Sequence, residues 1–167
     1  VPKENLIGRE GMGFIITMKN LDHSRPGIAA QGVGLARGAL DASIKYAKER
    51  VQFDKPIAAQ PVVQHMLADM GIKVESARAL LYSVARHIDS GAKNFAKESA
   101  MVKCYATDIA MEAATDAIQV FGGYGYMKEY PVEKMFRDAK ILQIYEGTNQ
   151  IQRNVIGQAL LKEGGSK

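Results

Sequence analysis

Apolar residues recur at threes, fours and sevens along most of this chain, a period that predicts helices. The longest run follows Pro26, where Ile28, Leu35, Ala39, Ala42, Tyr46 and Ala47 share one stripe that ends at about Arg50. Asp22 or Ser24 stands where it can cap this helix, and Pro26 suits its first turn, where the missing N–H costs little. Ahead of it, Phe14 to Leu21 predicts a short helix of its own. Residues 1–13, broken by Pro2, Gly8, Gly11 and Gly13, predict a lead-in with one short extended piece around Leu6 and Ile7. Four small residues on the long helix, Gly32, Gly34, Ala36 and Gly38, predict the close approach of a neighbouring helix.

VQFDKP, residues 51–56, breaks the period. A second helix is expected from about Pro61 to Ser90, with Val63, Met66, Leu67, Met70, Val74, Ala77, Leu81 and Val84 as its apolar stripe and Gly91 as its stop. A third should run from Asn94 to Phe121 and bury Ala96, Ala100, Val102, Cys104, Ala106, Ile109, Ala113, Ala117 and Val120 before Gly122 and Gly123 end it. A Gly/Tyr-rich loop from Tyr124 to Tyr130, a short helix from Pro131 to Ala139 and a last helix from Asn149 to Leu161 complete the pattern. Ile151, Val155, Ile156 and Leu160 are its expected inward face, and a polar KEGGSK tail follows. No segment alternates convincingly as a strand, and no internal repeat is visible. Long amphipathic helices joined by tight loops predict an all-α protein, an antiparallel four-helix-type bundle with additional short helices, as a single domain over residues 1–167.

Composition narrows the function classes. Hydrophobic residues make up 47% of the chain and charged residues 24%, ordinary values for a globular protein. The net charge of +4 is spread out, so no nucleic-acid footprint is present. Cys104 is alone, which excludes a disulfide framework and suits a reducing compartment. No apolar run approaches membrane-spanning length, and no signal peptide is visible. The chain opens on Val1 without a Met, as a processed protein or a piece of something longer would.

Several chemistries lack their signatures. His23, His65 and His87 have no Glu three residues before them, so the Glu-x-x-His pairs of di-metal bundles are missing and no metal is expected. No Ser/His/Asp arrangement can be assembled. Gly123-x-Gly125 is followed by Lys128 rather than a third Gly, and it comes after a helix, whereas a dinucleotide fingerprint follows a strand. The stretch ILQIYEGTNQIQR, residues 141–153, is different. It sets Glu146 directly before Gly147, whose backbone freedom permits a bend, and before Thr148 or Asn149, either of which can cap the next helix. A carboxylate held in such a bend can point into a cleft, and apolar Ile144 and the Tyr145 ring beside it would tend to raise its pKa towards a general base's range. The same residues also read as a surface Glu favoured by a helix dipole.

Together these pieces resemble the C-terminal helical domain of the acyl-CoA dehydrogenases. LDHSRPGIAAQGVGLARGALDASIKYAKERVQF is similar to that family's first long helix and the turn after it, and QVFGGYGY and FRDAKILQIYEGTNQIQR to its two best-known signatures. The resemblance covers essentially the whole chain. It implies that the chain is one part of a longer subunit that also carries an N-terminal helical domain and a middle β-domain. It further implies an FAD-dependent oxidoreductase of fatty acid metabolism that converts acyl-CoA to trans-2-enoyl-CoA and passes electrons to electron-transferring flavoprotein. Such an enzyme would be a homotetramer, a dimer of dimers, in the bacterial cytoplasm or the mitochondrial matrix.

Site residues follow from the same resemblance. Glu146 is the implied base, removing the α-proton while a hydride leaves the β-carbon for flavin N5. Donors aimed at the thioester oxygen are worth roughly 3–4 kcal/mol each. Some members carry their base as a Glu just before the Arg of the LDxxR motif; that position here is Ser24, which supports Glu146. Asp22, Arg25, Tyr145 and Gly147 fall on the substrate side. Arg50, Phe53, Gln119, Gly122 and Gly123 fall beside the FAD of a neighbouring subunit, and Thr148, Asn149 and Gln150 beside FAD at the last helix. Each has a structural reading too: Asp22 and Arg25 as a cap and an ion pair at an exposed helix start, Arg50 as a cation at a helix C-terminus, Phe53 as a core-edge ring, Gly122 as a C-cap. The sequence departs from the family where Pro61 replaces the usual Gln, with Gln60 beside it, and where Asp54 stands for a frequent Gly. Outside this chemistry, the alternatives are a helical assembly module with no activity of its own and a flavin oxidase of the same fold.

Overall fold

The computed structural model describes residues 1–164. A 3-10 turn at Lys3–Asn5 leads into α1, Gly13–Glu49, followed by β1, Val51–Gln52, and β2, Lys55–Pro56. A second 3-10 turn precedes α2, Pro61–Asp89; α3 covers Ala96–Phe121 and α4 Val132–Leu142, after a 3-10 stretch at Gly122–Tyr126; α5 covers Asn149–Gly164. The all-α bundle is as expected. No helix among the described residues is long and apolar enough to cross a membrane.

The expected break between a short first helix and a long second one does not exist. Residues 13–49 form one continuous helix, with Pro26 inside it rather than in its first turn, and neither Asp22 nor Ser24 is a cap. An interior proline costs about 3 kcal/mol or more, in part because it leaves the carbonyl four residues back without a donor. Here that carbonyl belongs to Asp22, and it accepts instead from Ser99 Oγ of α3 at 2.7 Å. A long-range hydroxyl therefore replaces the missing N–H, which no local pattern could foretell.

The second correction is the hairpin at VQFDKP. Val51 pairs with Pro56 and Gln52 with Lys55. Phe53 and Asp54 between them take φ of 54° and 60°. Positive φ at both central residues is the two-residue turn whose twist matches a hairpin. Strands of two residues are too short to show alternation.

α3 lies at the centre and packs against α1, α2, α4 and α5. Its alanines allow this: Ala100, Ala106, Ala110, Ala113, Ala114 and Ala117 are all fully buried. At Gly32 of α1, a Cβ would sit 2.8 Å from the Ala106 carbonyl oxygen. That crossing is the close approach the small residues foretold. Gly34 meets nothing. In α5 the expectation partly fails. Ile151 and Leu160 are exposed, Val155 and Ile156 half-buried, and the buried residues are Asn149 and Gln152. This helix turns a polar face to α3, because what it meets there is polar.

Candidate functional site

Between α4 and α5 the chain makes a bend at Glu146 and Gly147, with φ of 58° and 86°. A left-handed Glu is uncommon and strained, a feature that clusters at functional sites. Gly147 is needed on steric grounds as well, since a Cβ there would lie 2.7 Å from Gln152 Nε2. Thr148 resolves the capping choice: its Oγ1 accepts from the Ile151 N–H at 3.3 Å.

This bend directs Glu146 onto α1. The half-buried carboxylate accepts a short hydrogen bond from Ser24 Oγ. One residue on, Arg25 is 4% exposed and donates to Asp22 Oδ1 at 2.6 Å, while its Nε has no partner among the described residues. Asp22 and Arg25 thus pair inside α1 and not at an exposed helix start. Tyr145 donates from its hydroxyl to Gln31, also on α1. Burial, then the charge of Glu146, pushes the Tyr145 phenol up from its ordinary value. Ile144 does not join them; it faces outward at 49% exposure.

Beneath the bend lies a polar cluster that the sequence did not announce. Lys103 of α3 is fully buried, and its ammonium donates to the Gly147 carbonyl at 2.9 Å and to Asn149 Oδ1 at 2.8 Å. The amide of Asn149 donates onward to Asp108 Oδ1 at 2.7 Å and Thr107 Oγ1 at 2.9 Å. Asn149 therefore commits its side chain inward. Gln152 Nε2 donates to the carbonyls of Glu146, at 3.2 Å, and Gly147, at 2.9 Å. Desolvation lowers the Lys103 pKa to about 8, against the raising effects of Cys104, Asp108 and Glu146; Arg25 lowers it further. Burial and Asp108 push the Cys104 thiol up, which keeps it protonated and unreactive. One signal pointed to Lys103: it falls on the alanine stripe of α3 at helical spacing from Ala100, Ala106 and Ala110.

The remaining candidates gather elsewhere. Arg50, Gln119, Gly122 and Gly123 line one cleft of about 580 Å³ together with Tyr46 and Tyr124. Gly122, at φ 61°, is the C-cap of α3, and nothing stands within 4 Å of a Cβ at Gly122 or Gly123, so their backbone is open to an incoming group. The Arg50 guanidinium lies over the Tyr124 ring at 5.1 Å. Phe53 is no core-edge ring; it is 88% exposed at the tip of the hairpin. Gln150 is exposed on the first turn of α5 and Gln60 half-buried at the N-cap of α2. At about 1.5 Å per residue, α1 carries Ser24 and Arg50 roughly 39 Å apart along its axis.

Comparison with known proteins agrees with this architecture. The family profile described as acyl-CoA dehydrogenase, C-terminal domain, matches residues 11–161. Cyclohexane-1-carbonyl-CoA dehydrogenase of Geobacter metallireducens is 52% identical over 163 residues, 98% of this chain and 43% of its own length. Butyryl-CoA dehydrogenase from Megasphaera elsdenii superposes with a TM-score of 0.93 at 50% identity, over 96% of this chain and 42% of that one. An acyl-CoA dehydrogenase from Bacillus anthracis, determined in complex with FAD, gives 0.92 at 32% identity over 98% of this chain and 31% of its own. The chain thus spans less than half the length of these relatives. It belongs to the acyl-CoA dehydrogenase family, an oxidoreductase flavoprotein family, and matches its C-terminal helical domain.

Proposed function

We propose that this chain is the C-terminal domain of an acyl-CoA dehydrogenase subunit, in which Glu146 removes the α-proton of a bound acyl-CoA. The observation that carries this reading is the bend: a strained left-handed Glu, fixed on both sides, with its carboxylate turned onto α1 and not into bulk water. The Glu146 N–H engages no acceptor among the described residues, so it is free to meet the thioester oxygen as charge develops there. Asp22 and Arg25 pair on α1 beside Ser24, whose hydroxyl meets the Glu146 carboxylate.

FAD, when bound, supplies the acceptor for the β-hydride. The residues fit such a group. A cation, three aromatic residues and two bare glycines line the cleft at Arg50, and these suit the phosphates and flat rings of a dinucleotide. Thr148 and Gln150 stand at the start of α5, where helix N–H groups favour phosphate. By the family resemblance, Arg50 and Gly122 serve the cofactor of a second subunit, and the working enzyme is a homo-oligomer, a tetramer. Electron-transferring flavoprotein is its proposed electron acceptor.

The test is proton exchange in the full-length subunit. With acyl-CoA in deuterated water, the parent should wash out the α-hydrogen and form enoyl-CoA. Glu146→Gln should slow both by on the order of a hundredfold or more. Exchange at the parental rate in that variant would remove Glu146 from the role.

A further inference from the structure

We propose that Lys103 is the positioning residue of this site: from the rigid core of α3 it holds the Gly147 carbonyl and so fixes the backbone on which Glu146 is aimed. The proposal rests on the reading of Glu146 as base. Its grounds are geometric. An ammonium taken wholly out of water is disfavoured unless its donors are satisfied. Methionine or leucine would fill the same place on an alanine-lined helix without that cost. Lys103 instead reaches two acceptors, and both lie at or just after the bend, the Gly147 carbonyl at 2.9 Å and Asn149 Oδ1 at 2.8 Å.

The bend needs such a hold. Glu146 and Gly147 both take left-handed φ, so no regular ladder can engage their carbonyls. Side chains do so instead. Gln152 of α5 donates to both, and Lys103 of α3 donates to the second. The two donors come from different helices and clamp one dipeptide between them. The charged and titratable groups around Lys103 are Arg25 of α1, Cys104 and Asp108 of α3, and Glu146 of the bend itself. Arg153 of α5 lies beyond them, bound to Asp108 at 2.6 Å. Only Lys103 among the cations of this group donates to the bend.

A base displaced by a fraction of an ångström still binds substrate nearby but removes its proton slowly. In the full-length flavin-loaded subunit, Lys103→Met should therefore lower kcat by about tenfold to a hundredfold, with KM for acyl-CoA within about threefold of the parent. The isotope effect on kcat from α-deuterated substrate should rise. Lys103→Arg, which keeps a buried cationic donor, should recover part of the rate. Thr107→Val serves as control: it damages the same buried cluster without touching the bend, and should lower the melting temperature while leaving the isotope effect unchanged. Should Lys103→Met not fold, Lys103→Gln, one atom too short to reach the carbonyl, must show the raised isotope effect.

An unchanged isotope effect in the neutral variants would overturn the proposal, as would a matching rise in Thr107→Val. Failure of the Met, Gln and Arg variants alike to hold flavin would assign Lys103 to folding and overturn it too. These failures differ from failure of the base assignment, which would leave Glu146→Gln active.

Discussion

Two stretches of α1, the interior around Ser24 and the C-terminal end at Arg50, each meet a group of candidate residues, and the two sites are built in opposite ways. At Ser24 the site is internally braced: Glu146 and Gly147 are held by Lys103, Gln152 and the Ser24 hydroxyl, and Lys103 is itself anchored on Asn149. At Arg50 the site is a wall. Arg50, Gln119 and the two glycines face an open cleft, and the guanidinium's contact there is the face of Tyr124. A group that must hold one carboxylate at a fixed angle needs support from behind. A surface that receives a cofactor needs open backbone and a cation in front. The first can be completed within one chain, whereas the second becomes a site only when something covers it.

The sharpest way to break this comparison is to damage each site and read both outputs. Glu146→Gln in the full-length subunit should lose a hundredfold or more in turnover, as above, while its flavin content stays at the parental level. Arg50→Met should do the reverse. A charge-assisted contact of about 1.5–3 kcal/mol corresponds to roughly tenfold or more in FAD dissociation constant, measured by equilibrium dialysis. Turnover per bound flavin should stay close to the parent's. If Arg50→Met lowered turnover of the loaded enzyme as much as Glu146→Gln does, the two would not be separate sites.

A second contrast is in pH response. Lys103 titrates near pH 8 when folded and near 10.5 when unfolded. Between those values the unfolded chain holds the proton that the folded one has released, so this group alone makes stability rise with pH. The slope is at most about 1.4 kcal/mol per pH unit. Against Lys103→Met, the parent should gain relative stability as the pH of a denaturant titration moves from 8 to 10.5. Arg50→Met should show no such differential, because that site buries no titrating cation. A flat Lys103 difference would mean that its ammonium is not desolvated.

How much of this was legible from the sequence divides along the same line. The apolar period gave the long helices, because burial of an amphipathic face is a local statement about spacing. The bend at Glu146-Gly147 was legible as a bend, since an acidic residue before a glycine and a capping threonine announces a helix start. What supports it was not. Lys103 reads as a solvated side chain on any scale of burial; its place on the alanine stripe hints otherwise, but its acceptors, 44 and 46 residues away, leave no local trace. Ser24 was legible as the place where a different base is absent, but not as the hydroxyl that meets Glu146 across 122 residues. Pro26 misled for the same reason: its helix is mended by Ser99, from another helix. The hairpin escaped because two-residue strands carry no period. In α5, Ile151 and Leu160 misled because apolar spacing shows which face could be buried and not whether a partner exists.

The smallest expected effect makes the finest test. Beside each of the two sites stand residues in a left-handed conformation that a glycine would adopt without strain: Glu146 at the braced site, Phe53 and Asp54 near the open one. Relief of such strain is worth about 1 kcal/mol, less where an Asp already tolerates the region. Asp54→Gly should therefore raise stability to denaturant by a few tenths of a kcal/mol, up to about 1, with turnover unchanged. Glu146→Gly should gain a similar or larger increment, offset by loss of the Ser24 hydrogen bond, while turnover falls to the level of Glu146→Gln. Strain at Asp54 is then a local accident of a turn, and strain at Glu146 is retained because the side chain is needed where only a strained backbone can aim it. Equal tolerance of glycine at both positions, in stability and in turnover alike, would mean that the bend positions nothing.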